Sequence, residues 1–277
     1  MPLSHPPPTE GTGLEPVLHL SGVTKSYARV VGESLARGRR QVLADVSLTI
    51  RRGEIYGFVG LNGAGKTTTI KIALGLTHPD AGTVRLFGED VSADPCARVG
   101  YAPEKPGFAS FLTGLEVLEY AARLLGCRLP GARFQEVLER VGLWDDRGKQ
   151  VANYSKGMQQ RLALAAAMLH DPDLYVLDEP SSGLDPLGRR LVKEILKELR
   201  RAGRTVFFST HILADVREIC DRIGVIHQGR MVFEGTLEQF NPTQGDLEER
   251  FVALIGAGLG VVPNGSSLDL ESPQGIS

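Results

Sequence analysis

Along the chain, short apolar runs alternate with stretches in which apolar residues return every three or four positions. Val17 to Val23 and Val46-Ser47-Leu48-Thr49-Ile50 alternate apolar and polar side chains, the period of a half-buried strand. Glu54 to Val59 is mostly apolar and short enough for a buried strand. Thr67 to Leu76 carries Ile70, Ala73 and Leu74 on one helical stripe. A turn over 78–82 leads to a strand at Thr83 to Phe87, and Val99 to Glu104 predicts another, stopped at Pro103. From Gly114 to Leu143 the period becomes helical. Leu115, Leu118, Ala121, Ala122 and Leu125 form one stripe, and Phe134, Val137, Leu138 and Val141 form a second after Pro130-Gly131.

Ser155 predicts the N-cap of a helix running to about His170, apolar all round from Leu162 to Leu169 and therefore buried. Asp173 to Asp178 predicts a strand. Leu187, Leu191, Ile195, Leu196 and Leu199 mark an amphipathic helix with a solvated Lys/Arg face. Thr205 to Ser209 is an apolar strand ending in Thr210-His211. Ile212, Val216, Ile219 and Cys220 mark a helix, and Gly224 to Glu234 a hairpin turning at Gln228-Gly229. Strands alternating with helices imply an α/β core around a parallel sheet. Residues 1–16 and 257–277 lack any usable apolar period and are expected to be a disordered leader and tail. The basic run in Ala28 to Gln41, with Arg37, Arg39 and Arg40, is expected to be a solvated loop.

Composition narrows the function. With 277 residues and 42% hydrophobic content, the chain can fill one large domain or two smaller lobes. Its 31 basic and 33 acidic residues leave a net charge of −2, so no global field points to nucleic acid. Three cysteines without metal-ligand spacing, Cys96, Cys127 and Cys220, fit structural thiols in a reducing compartment. The first 15 residues do not have the form of a signal peptide. No window approaches 18 uninterrupted apolar residues, so any membrane would be supplied by another chain.

The chemistry centres on Gly60-Leu61-Asn62-Gly63-Ala64-Gly65-Lys66-Thr67, which has the G-x-x-x-x-G-K-[ST] spacing between a predicted strand and a predicted helix. Gly60, Gly63 and Gly65 allow sharp turns and close backbone approach to an anion. Loop N–H groups and a helix N-terminus would face phosphates, Lys66 would reach the β- and γ-phosphates, and the Thr67 hydroxyl would ligate Mg²⁺. This predicts a nucleoside triphosphate site. Leu174-Tyr175-Val176-Leu177-Asp178-Glu179-Pro180 sets two carboxylates at a strand's C-terminal end. Asp178 suits Mg²⁺, and Glu179 suits a general base toward water. His211 ends a further strand, in position to sense or stabilise γ-phosphate charge. Tyr154-Ser155-Lys156-Gly157-Met158-Gln159-Gln160-Arg161 adds a second anion-binding helix start. One phosphate cannot meet both helix starts end-on within one small lobe, which suggests two chains meeting head to tail around the nucleotide.

Together these stretches resemble the nucleotide-binding subunit of ABC transporters, of the exporter type. GLNGAGKT resembles the family's Walker A motif, YSKGMQQR its signature, LYVLDEP its Walker B motif, and Ser182-Gly183-Leu184-Asp185-Pro186 its D-loop. The resemblance implies an ATP-hydrolysing subunit with a P-loop NTPase (RecA-like) α/β core, an antiparallel β subdomain and an inserted α-helical lobe. It covers 17–237, with the lobe over about 105–170, and resumes in a C-terminal segment at 238–256. It implies ATP held by Gly60, Asn62, Gly63, Ala64, Gly65, Lys66, Thr67 and Thr68. Tyr27 falls at the adenine-stacking position, and Ser155, Gly157 and Asp185 act across a dimer. Mg²⁺ would sit at Thr67, Asp178 and Glu104, and Glu179, His211 and Glu104 would serve catalysis. Glu104 stands where most members carry a glutamine, and Lys156 replaces a usual small residue. A separate transmembrane permease and a second nucleotide-binding subunit, identical or not, are the implied partners, at the cytoplasmic face of the membrane. The surface from Glu104 to Phe111, with Phe108 and Phe111 exposed, is the expected docking place for the permease. A soluble ATPase of the same family acting on nucleic acid or ribosomes is the competing reading. It would normally carry two cassettes or a coiled coil, and this chain shows neither heptads nor a basic field.

Overall fold

The computed structural model describes residues 16–31, 34–91, 98–242 and 245–256, with the side chains of 29–31 and 34–37 outside that description. The expected leader before Pro16, the expected tail after Gly256 and Cys96 therefore lie outside the described residues. Pro16 itself already belongs to a strand.

In chain order the elements are β1 (Pro16–Val31), β2 (Ser34–Arg51), β3 (Ile55–Val59), α1 (Lys66–Ala73), β4 (Ala81–Leu86), β5 (Glu89–Asp90) and β6 (Val99–Ala102). A helical stretch follows: α2 (Gly114–Leu124), α3 (Gly131–Arg140) and α4 (Lys156–Met168). Then come β7 (Leu174–Asp178), α5 (Pro186–Arg201), β8 (Thr205–Thr210), α6 (Leu213–Ile219), β9 (Arg222–His227), β10 (Arg230–Thr236), α7 (Leu237–Phe240) and α8 (Leu247–Gly256).

Two sheets form. One is antiparallel, in the order β2-β1-β4-β5, and the other has the order β10-β9-β3-β8-β7-β6. Within the second, β6, β7, β8, β3 and β9 pair in parallel and β10 closes the edge antiparallel. This is the α/β core with an antiparallel β subdomain and a helical lobe that the sequence implies. Parallel strands covered on both faces read as continuous apolar runs. Along β7, Leu174 and Val176 face the core shared with the antiparallel sheet, while Tyr175 and Leu177 face the core of the helical lobe. Tyr56, Phe58 and Phe207 bury their rings between the sheets, with centroids 5.9 and 5.7 Å from Phe207. Each such side chain contributes about 1.5–3 kcal/mol through burial.

The central strands decide where chemistry can occur. β3 lies between β9 and β8, and β7 lies beside β8, with Val59 opposite Thr210 and Asp178 opposite Ser209. The C-terminal ends of β3, β7 and β8 therefore deliver the glycine loop, the carboxylate pair and His211 to one sheet edge, where open α/β folds bind ligands.

The helical lobe is held by reciprocal capping. Thr113 and Glu116 form a capping box that starts α2, a motif worth about 1 kcal/mol. Arg133 on α3 donates to Met168 O and Leu169 O at the end of α4. Arg161 on α4 donates to Val141 O and Gly142 O at the end of α3. Each helix thus supplies the cation for the other's exposed carbonyls.

Two expectations need correction. The stretch Ala28 to Gln41 is not a loop: β1 and β2 continue as an antiparallel ribbon, with Tyr27 opposite Arg40, Ala28 opposite Arg39 and Val31 opposite Ser34. Tyr27, Ala28, Arg39 and Arg40 are all exposed, so this part of the ribbon has no buried face to impose an apolar period. Its backbone pairing holds it, and Arg39 adds an ion pair to Asp80 at 3.0 Å. Phe108 is also not exposed; it packs half-buried against the lobe core, whereas Phe111 is 72% exposed.

Candidate functional site

The glycine loop between β3 and α1 wraps the ammonium of its own lysine. Lys66 Nζ donates to Gly60 O at 2.6 Å and Leu61 O at 3.4 Å, and lies 3.0 Å from Glu179 Oε1. That last contact is an ion pair without hydrogen-bond geometry, since Glu179 Oε1 has no hydrogen-bond partner among the described residues. On its other oxygen, Glu179 meets His211 Nδ1 at 2.8 Å. Lys66 and Glu179 are buried, so each charge depends on the other, while the imidazole stays half open to solvent.

The carboxylate pair is fixed from the neighbouring strand. Ser209 on β8 donates its hydroxyl to Asp178 Oδ1 at 2.6 Å and accepts the Glu179 N–H at 2.9 Å. Glu179 adopts φ +50°, the left-handed region that a non-glycine residue enters only at a cost of about 1–3 kcal/mol. This sharp turn separates the two adjacent carboxylates, sending Asp178 inward and Glu179 toward Lys66. Asp178 is 1% exposed, and its Oδ2 has no hydrogen-bond partner among the described residues. Burial and the Asp178 charge push the Tyr101 phenol up to about 12.

A cavity of about 380 Å³ opens over these groups, lined among others by Asn62, Lys66, Thr67, Glu104, Glu179 and His211. Gly63, Gly65 and Thr68 also line it, with Val42, Leu61 and Ser182. Its floor is a glycine loop at a helix start with one lysine, a carboxylate and an imidazole above it. That combination suits a polyphosphate whose terminal group is attacked by water.

Known proteins agree with this geometry. The family model described as ABC transporter matches residues 43–182, half of the chain. Bacitracin transport ATP-binding protein BcrA of Enterococcus faecalis is 39% identical over 82% of this chain and 72% of its own length. The chain belongs to the ABC transporter family. It is an ATP-binding subunit of that family, with the P-loop cassette fold. An ABC transporter ATP-binding protein of Nostoc sp. (strain PCC 7120) is 45% identical over 73% of this chain and 62% of that protein. A dimeric ATP-binding cassette in a post-hydrolysis state, bound to ADP and Pi, superposes with a TM-score of 0.72 at 25% identity. That match covers 79% of this chain and 98% of the other. The chain spans between 57% and 72% of the length of the first four curated relatives it matches.

Within this cassette, most of the residues expected at the nucleotide converge. Gly60 and Ala64 belong to the same loop and Asp178 adjoins Glu179, but these three do not line the cavity. Tyr27, Ser155, Gly157 and Asp185 do not line the cavity. Tyr27 is 41% exposed on the ribbon, with the Lys25 ammonium 5.5 Å from its ring centre. Ser155 caps α4 by accepting from Met158 N, and Asp185 caps α5 by accepting from Gly188 N at 2.7 Å. The signature and the D-loop nevertheless touch: a Cβ on Gly157 would come 3.2 Å from Leu184, and one on Gly183 would come 2.9 Å from the Lys156 side chain. Lys156 thus lays its stem across Gly183.

Ser209 and Val42 join the site without being singled out by the sequence, while Ser182, the first residue of the expected D-loop, lines the cavity. The signal for Ser209 is its place one strand away from the carboxylates, two residues before His211. Val42 has no such signal, because its stretch reads as the end of a polar segment.

Proposed function

We propose that this subunit binds and hydrolyses ATP as a dimer and thereby energises export through a separate membrane-spanning partner. It would work at the cytoplasmic face of the membrane, with a permease and a second nucleotide-binding subunit as its partners. No helix among the described residues is long and apolar enough to cross a membrane. The observation that carries the proposal is the contact chain at the cavity from buried Lys66 through buried Glu179 to the half-exposed imidazole of His211.

The residues also fit a divalent cation. Asp178 Oδ2 is a buried carboxylate oxygen without a hydrogen-bond partner among the described residues, and a hard cation takes such a ligand. Thr67, Asp178 and Glu104 would hold Mg²⁺, which would neutralise charge on the β- and γ-phosphates. Lys66 would turn from Glu179 to the phosphates, because a polyphosphate outcompetes a single carboxylate for an ammonium. Glu179, released from Lys66, would accept a proton from the attacking water at Oε1, while His211 holds Oε2 and fixes the plane of the carboxylate. Ser155 and Gly157 of α4 would meet the γ-phosphate of a second copy, with Asp185 crossing the same interface.

Glu179→Gln keeps the shape of the side chain and removes the base. The variant should bind ATP, fail to turn it over and elute as a dimer with ATP in the absence of Mg²⁺. It should elute as a monomer without nucleotide. Elution as a monomer under both conditions contradicts the dimer.

A further inference from the structure

The turn joining β9 to β10 does not end in solvent. Gly229 is buried, and its two backbone groups bind different parts of the molecule. Its N–H donates to Ala64 O in the P-loop at 2.9 Å, and its carbonyl accepts from Ala44 N on β2 at 2.8 Å. It adopts φ +77°, and a Cβ there would fall 2.2 Å from Val42 O and 2.9 Å from Val42 C. Those are backbone atoms, which cannot swing aside as the tip of a side chain can. The close packing continues along the loop. A Cβ on Gly65 would lie 2.6 Å from Leu43 Cδ2 and 3.2 Å from Val42 O, and one on Gly60 would lie 2.6 Å from Ile226 O. The P-loop, the Gly229 turn and β2 at Val42 thus pack with no room for a Cβ at Gly60, Gly65 or Gly229, and both Val42 and the loop line the cavity.

We propose that Gly229 is a positioning residue that sets the distance between Val42 and the P-loop, and with it the preference for ligands that span both. Such a ligand is a nucleoside triphosphate, as against a bare polyphosphate. The proposal rests on the ATP reading above and extends it. A bare polyphosphate needs only the loop N–H groups and Lys66. The loop also has internal bonds that do not involve Gly229, Ala64 N to Leu61 O at 3.1 Å and Lys66 Nζ to Gly60 O at 2.6 Å. A base attached to the phosphates also needs an apolar surface at a fixed reach, and Val42 is an apolar residue on the cavity wall contributed from β2 rather than from the loop. A side chain at position 229 must push β2 away from the loop or break the bond to Ala64 O. Either change alters the reach without touching the loop's internal bonds directly.

Backbone strain is separable from this effect. Gly203 has φ +76° in an exposed turn, with no described atom within 4 Å of the place a Cβ would take, so Gly203→Ala carries the same conformational penalty away from the cavity. Isothermal titration of the full chain with ATP and with inorganic tripolyphosphate compares the three proteins. Gly229→Ala should weaken ATP at least tenfold and tripolyphosphate less than twofold, and Gly203→Ala should leave both affinities unchanged. Unchanged ATP affinity in Gly229→Ala, or equal loss for the two ligands, overturns the proposal. A wild-type chain that binds tripolyphosphate but not ATP removes the nucleotide reading itself, and this proposal with it. Where Gly229→Ala does not fold, amide exchange in the wild-type chain decides. ATP should slow exchange at Gly229 and Ala44 at least tenfold more than tripolyphosphate does, and equal protection by the two overturns it.

Discussion

The two ends of the site are finished to different degrees within one chain. At the P-loop end, Lys66, Glu179 and His211 are linked in sequence at 3.0 and 2.8 Å, and Ser209 secures the carboxylates from the next strand. At the signature end, Ser155 and Asp185 satisfy the first turns of their own helices and are otherwise exposed. The difference follows from burial. An unpaired charge in the interior costs several kcal/mol, so buried Lys66 and Glu179 pair within the chain. An exposed helix start carries no such penalty and can wait for a ligand. The Lys66–Glu179 pair is therefore satisfied within one chain, whereas Ser155 and Asp185 stay open to solvent.

The contrast breaks most severely at Lys66. Lys66→Ala removes the side-chain cation placed inside the glycine loop and leaves Glu179 with His211 alone. ATP affinity should fall by about two orders of magnitude, ~3 kcal/mol for a charge-assisted contact. Titration calorimetry giving wild-type affinity would mean that the loop N–H groups suffice. A smaller effect, confined to the other end, is expected from Ser155→Arg. ATP should still bind the P-loop, while stability falls by about 1 kcal/mol through the lost cap and the ATP dimer is lost. If α4 starts with a cap and nothing more, turnover per chain will stay flat across a hundredfold dilution in the wild type. The mildest change is Glu104→Gln on the cavity wall. An amide oxygen can replace a carboxylate oxygen there, so turnover should change less than tenfold, ~1.4 kcal/mol of barrier. A larger loss would show that the Glu104 charge takes part in the reaction.

The features that are legible in the sequence are those whose physics is local. The glycine loop declares itself because three glycines, a lysine and a threonine must follow a strand and open a helix. β3, β7 and β8 declare themselves because burial on both faces leaves unbroken apolar runs. The ribbon beyond Tyr27 escapes a sequence reading because backbone pairing and Arg39 contacts hold it rather than a buried face, and exposed side chains impose no period on Ala28, Arg39 or Arg40. Phe108 escapes it because a single aromatic residue in a loop carries no pattern that reports its neighbours. The role of Ser209 depends on strand order, which places it beside Asp178 and Glu179 across a sequence gap of about thirty residues. Gly229 is harder still. Its hairpin turn is expected from the sequence, but its contacts with Ala64 and Ala44 exist only once the two sheets are assembled.

The exchanged arginines of the helical lobe have a mechanical consequence. Arg133 grips the last carbonyls of α4, and Arg161 grips those of α3, so neither helix can slide along the other without breaking charged contacts at both places. Ser155 stands at the far end of α4, about 20 Å from those carbonyls at the rise of an α-helix. A push on the outer face of α3 therefore arrives at Ser155 as a displacement rather than being absorbed by repacking. The lobe is a braced strut that carries a load on α3 to the exposed start of α4.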